Sequence, residues 1–129
     1  MDPADLQNLQ LFEGLDEREL EKLSRWATDL DFAAGRRIFD QGEVAWEFFV
    51  ILEGEVEVMR GSDTLAVLHQ GDFFGEMALE AGDRRNASVV AKTPVRLAVM
   101  LGRDFKEMGE EMPHVAEQIR AAIKRRSEA

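Results

Sequence analysis

Glu47 to Arg60 reads E-F-F-V-I-L-E-G-E-V-E-V-M-R, and the choice of fold turns on it. Phe48 to Leu52 is an unbroken apolar run of strand length, which predicts a strand buried on both faces. Glu53-Gly54 then breaks the run. Beyond the break E-V-E-V alternates, with Val56 and Val58 expected to point inward. Two strands of different burial joined at a glycine predict a hairpin inside an all-β domain.

The flanking sequence extends this pattern in both directions. G-R-R-I-F-D-Q-G-E places a short strand, Arg37 to Asp40, between Gly35 and Gly42. G-S-D-T is a turn, L-A-V-L-H a strand, and Gly71-Asp72 another turn. A-S-V-V-A and V-R-L-A-V-M-L are two more strands, separated by Lys92-Thr93-Pro94. Short strands at regular spacing with glycine turns predict an antiparallel β-roll of the jelly-roll or cupin type, also described as a double-stranded β-helix.

Both ends of the chain switch to helical spacing. Leu6, Leu9 and Phe12 form one face of a helix over Asp5 to Phe12. Asp16 and Glu19 are placed as a capping box for a second helix with Leu20, Leu23 and Ala27 on its inner face. At the other end, Pro113 suits a first turn. Val115, Ile119, Ala122 and Ile123 make a stripe on a helix ending near Arg126. Lys124, Arg125 and Arg126 lie where the helix dipole favours cations. The expectation is one domain over 1–129, with helices over 1–28, the roll over 29–101 and helices over 102–129.

Composition excludes several functions. The formal net charge of −10 disfavours nucleic acid and anionic membranes as partners. With no cysteine, thiolate catalysis, disulfides and cysteine-ligated zinc are ruled out. His69 and His114 are far apart on different predicted elements, so a cupin-type metal centre is not expected, and no Ser-His-Asp set can be assembled. The reading is therefore no enzyme, no metal and no cofactor. The first residues show no signal peptide and no apolar run reaches membrane length, so a cytoplasmic protein is expected.

One segment contrasts with this acidic background: F-G-E-M-A-L-E-A-G-D-R-R-N-A-S-V, Phe74 to Val89. Gly75 permits close backbone approach. A helical turn at Met77, Ala78 and Leu79 would offer free N–H groups to an anion. Arg85, nine residues after Glu76, adds a guanidinium. Glu76 would repel phosphate but accept from a sugar hydroxyl, so the set suits a sugar phosphate. The same residues also fit a solvated Arg-Arg loop with Glu76 capping a turn.

The segment resembles the phosphate-binding cassette of the cyclic nucleotide-binding domain family. The resemblance continues through the opening, Leu6 to Leu23, through G-R-R-I-F-D-Q-G-E and F-F-V-I-L-E-G-E-V-E-V, and through Q-G-D-F-F-G-E-M-A-L, covering roughly residues 6 to 123. It implies a stand-alone bacterial-type domain in which cAMP or cGMP is the ligand. It assigns the cyclic phosphate to Arg85 and the ribose 2′-hydroxyl to Glu76. Backbone around Gly75, Met77, Ala78 and Ala87 would line the sugar phosphate, with Ser88 near the phosphate. Val58, Leu65 and Ala66 would form the apolar wall of the base pocket. Arg84 would be solvated.

Asn86 is also expected in the ligand site, but it departs from the pattern, standing where Ala accompanies cAMP preference and Thr accompanies cGMP preference; its donor and acceptor suit a purine edge, which leaves the choice of nucleotide open. The loop Glu43 to Glu47 lacks the family's Gly-Asp, and Trp46 in it reads as a surface anchor. No helix-turn-helix, kinase, channel or exchange-factor segment is present in the sequence, which leaves a sensor or a regulatory fragment. The resemblance implies that the C-terminal helix carries the signal to a protein effector or to a homodimer. The alternative is a degenerate fold that serves as a nucleotide-independent interaction module.

Overall fold

The computed structural model describes residues 1–76 and 84–128, with side chains as far as Arg125. Helix α1 (Pro3–Gln7) and a 3₁₀ turn (Gln10–Phe12) lead into α2 (Glu17–Trp26). Strands β1 (Ala27–Phe32), β2 (Arg37–Phe39), β3 (Glu47–Glu53), β4 (Val56–Arg60), β5 (Asp63–Leu68), β6 (Phe73–Phe74), β7 (Ser88–Ala91) and β8 (Val95–Leu101) follow. The chain closes with α3 (Gly102–Glu111) and α4 (Pro113–Glu128).

The strands form two four-stranded antiparallel sheets, ordered β1-β8-β3-β6 and β2-β7-β4-β5. This is the mainly β roll with flanking helices that the glycine-punctuated strands predict. The apolar run of β3 is buried throughout because its two faces serve two cores. Phe49 and Ile51 join Phe74, Val89, Leu97 and Val99 between the sheets. Phe48, Val50 and Leu52 turn to the other side, where Leu6, Phe12, Leu23, Phe105, Met108, Val115 and Ile119 cover them. β8 divides its residues in the same way, Leu97 and Val99 inward and Ala98 and Met100 toward the helices.

The Asp16–Glu19 capping box is present in both directions. Other local expectations need correction. The helix expected over Asp5 to Phe12 is split into α1 and the 3₁₀ turn, and Leu6, Leu9 and Phe12 are still buried. Ala27 ends α2 and begins β1, so the roll starts before 29. α4 continues past Arg126 to Glu128. Val115, Ile119 and Ala122 on it are buried, and Ile123 packs against the same core. No helix is long and apolar enough to cross a membrane among the described residues.

One polar network ties the N-terminus to the roll. Arg96 on β8 donates to Asp29 on β1 and to Asp5 on α1, with Glu53 at 3.6 Å. Its hydrogen bonds to Asp29 and Asp5 hold the guanidinium above the usual arginine value.

Candidate ligand site at the mouth of the roll

Phe39 and Phe74 line the site, and Phe49 packs against both. Phe49 and Phe74 stack at 4.8 Å between ring centroids, and Phe39 leans on them at 5.7 and 5.9 Å. The Arg85 guanidinium lies 4.1 Å from the Phe39 ring centroid, a cation–π arrangement that lets a charge sit on an apolar surface.

Arg85 is only 4% exposed. Its Nη1 donates to the Gly75 carbonyl at 2.8 Å and its Nη2 to the Glu47 carbonyl at 2.6 Å. Burial pushes the guanidinium below the usual arginine value, and the carboxylates of Glu47, Glu43 and Glu76 oppose that shift. It remains a cation at neutral pH, since arginine is not deprotonated in proteins. A guanidinium has more N–H donors than these two bonds use, so an anion can still be taken.

Gly75 is required by this packing. Its φ is +89°, and a Cβ there would lie 3.0 Å from Arg85 Nη1 and 3.1 Å from the Glu47 carbonyl. Glu76 follows and is fully buried. A buried carboxylate and a buried guanidinium near one another are a charged pair that a bare core would not hold without cost.

These groups open onto a cavity of ≈ 410 Å³, within the about 300–1,000 Å³ of small-molecule sites. Gly75, Glu76, Arg85, Asn86 and Ala87 line it together with Val58, Leu65 and Ala66. Eight of the residues expected from sequence therefore meet at one cavity. Met77 and Ala78 lie outside the described residues.

Ser88 is not in the lining. Its hydroxyl accepts from the Gln41 backbone N–H at 2.9 Å, tying β7 to the turn after β2. Arg84 is exposed and donates to the Gly42 carbonyl. The lining also holds Phe39, Arg60, Leu68, Phe74 and Val89, which sequence reasoning did not assign to the site. The strand period had the signal for three of them: Arg60 shares a face of β4 with Val58, Leu68 shares a face of β5 with Ala66, and Val89 stands opposite Val58 in register.

His69 and His114 are both exposed, His69 beside Glu55 at 2.8 Å. Among the described residues, no group of three or more His, Asp or Glu is placed to hold a metal ion.

Comparison with known proteins points the same way as the geometry. The chain is 39% identical over 117 residues to a cyclic nucleotide-gated potassium channel of Rhizobium etli, covering 90% of this chain and 33% of the channel. It is 31% identical over 121 residues to the cyclic AMP receptor protein of Thermus thermophilus, covering 90% of this chain and 56% of that protein. Among solved structures, the Thermus thermophilus catabolite activator protein gives a TM-score of 0.80 at 28% identity, over 92% of this chain and 58% of that one. The regulatory subunit of a cAMP-independent protein kinase A from Trypanosoma brucei gives 0.84 at 26% identity, over 94% and 44%. The chain thus spans between 33% and 56% of the length of the two curated relatives. The profile described as the cyclic nucleotide-binding domain matches residues 30–111, and this chain belongs to that family.

Proposed function

We propose that this chain is a regulatory domain that binds cAMP or cGMP and passes the binding event on through its C-terminal helix. One observation carries the reading: Glu76 and Arg85, both buried, meet at a cavity that the apolar Val58, Leu65 and Ala66 also line. A cyclic nucleotide needs all three features. Its phosphate takes the guanidinium, its ribose hydroxyl donates to the carboxylate, and its base lies on Val58, Leu65 and Ala66. Isothermal titration with both nucleotides tests this, and saturable binding of at least one is expected.

The route to the helix begins at Arg85. Its Nη2 holds the Glu47 carbonyl, and the neighbouring Trp46 carbonyl accepts from Gly102 N–H, the first residue of α3. A phosphate that draws Arg85 changes the tension on this strand start. α3 packs on α4, which docks by Val115 and Ile119. The ligand shifts α4 only by its differential affinity for the two states. Amides from Val115 to Ile123 should exchange more slowly with saturating nucleotide than without it. Equal protection would remove α4 as the output and favour a fixed packing or homodimer role for its apolar stripe.

Asn86 offers both a donor and an acceptor at the cavity. Asn86→Ala should shift the cGMP-to-cAMP affinity ratio toward cAMP. An unchanged ratio would make Asn86 a neutral rim residue.

A second reading is an interaction module that keeps the fold without the cyclic nucleotide. The description of the Trypanosoma brucei relative as cAMP-independent favours considering it. Trp46, 67% exposed at the end of the roll, would be a contact in that case. Failure of both titrations would decide for it.

A further inference from the structure

β4 carries a gradient along one face. Val56 is fully buried between the sheets, Val58 is half-buried in the cavity wall, and Arg60 ends the row exposed at the rim. Residues two apart share a strand face, so Arg60 extends the wall on which the base would lie. Its register partner on β5 is Asp63, an obvious place for a cross-strand ion pair. No such pair forms, and among the described residues no carboxylate takes Arg60. The side chain lines the cavity, with Nε donating to the Asn86 carbonyl at 3.4 Å.

We infer that Arg60 reads the edge of the purine and biases the site toward guanine. This rests on the cyclic nucleotide reading above and names the base within it. Its aliphatic stem continues the apolar wall beyond Val58, while the guanidinium stays at the wet rim. The fork is donor-only. Guanine presents two adjacent acceptors, O6 and N7, which a guanidinium meets with two parallel hydrogen bonds. Adenine presents N7 beside an amino donor, which faces the fork donor to donor. The bond to the Asn86 carbonyl engages Nε and leaves both outer nitrogens available. Phosphate binding at Arg85 and base reading at Arg60 are then linked through one backbone residue, Asn86.

The experiment is titration of wild type, Arg60→Ala and Arg60→Lys with cGMP and cAMP, with melting curves to confirm folding. Wild type is expected to prefer cGMP. Arg60→Ala should weaken cGMP about tenfold more than it weakens cAMP, which loses only the contact with the aliphatic stem. Arg60→Lys keeps the charge without the fork and should lose most of the guanine advantage. Equal weakening of both nucleotides by Arg60→Ala, restored by Arg60→Lys, would overturn the inference in favour of simple charge attraction to the phosphate. So would a cGMP-to-cAMP ratio unchanged in both variants. Wild type that binds neither nucleotide would refute the binding reading and this one together. Wild type that binds while the ratio ignores Arg60 refutes this one alone.

Discussion

Arg85→Ala is expected to weaken cyclic nucleotide binding by about 2–5 kcal/mol, the loss that follows when a desolvated charge loses its hydrogen-bonded partner. Alanine removes the buried guanidinium closest to the Glu76 segment, so the site would offer an incoming phosphate a buried carboxyl group without that cation. Arg85 also supplies donors to the Gly75 and Glu47 carbonyls. Losing them should lower stability by about 1–3 kcal/mol. Binding and folding must therefore be read separately, by titration below the melting range and by denaturant unfolding. Arg85→Lys refines the result. It retains a cation for the phosphate but lacks the planar fork that spans the two carbonyls, so it should recover part of the affinity. A folded Arg85→Ala protein that binds as tightly as wild type would falsify the phosphate assignment.

Most of the strands were legible because each is marked by neighbours in sequence. The apolar run at Phe48 to Leu52 predicted double burial, and the two cores on either side of β3 are its cause. β1 was not legible. A-T-D-L-D-F has four exposed residues in six, and its brief alternation, Asp29-Leu30-Asp31-Phe32, does not mark a buried face because Leu30 is itself exposed. It is held by its register with β8 and by the Arg96–Asp29 pair, partners 67 positions apart. Such long-range pairing leaves no local trace. The cavity lining divides in the same way. Glu76 and Arg85 stand out as charges close to a glycine or to each other's segment, whereas Phe39 and Phe74 come from different sheets and only the fold brings their rings together, with the Arg85 guanidinium over Phe39. Ser88 shows the reverse case. It adjoins Ala87 in sequence, but it bonds to the turn after β2 and does not line the cavity, while its neighbour Val89 does.

Gly54→Ala is expected to cost about 2–5 kcal/mol of folding stability, the sum of backbone strain and a clash that cannot relax cheaply. Gly54 turns the chain from β3 to β4 with φ of +90°, a conformation that disfavours any side chain. A Cβ there would lie 2.3 Å from the Pro94 carbonyl, 2.8 Å from Val95 Cγ1 and 2.9 Å from Thr93 Oγ1. The nearest of these is backbone, and that backbone is fixed. Glu55 N–H donates to Thr93 Oγ1, and the Glu55 carbonyl accepts from Lys92 N–H and Thr93 N–H. The turn between β3 and β4 is thus locked against the turn between β7 and β8, and relief of the clash must break that lock. Gly14→Ala is the comparison, because φ there is +86° yet no atom lies within 4 Å. It should show the strain alone, about 1 kcal/mol. Denaturant unfolding of both variants separates the two contributions, and similar midpoints would mean the contact with Pro94 is not what holds the turn. The consequence reaches the ligand site through β4, which leaves this turn to carry Val58 and Arg60 into the cavity wall. A folded fraction of Gly54→Ala should therefore bind nucleotide more weakly than Gly14→Ala, although Gly54 itself is not part of the cavity lining.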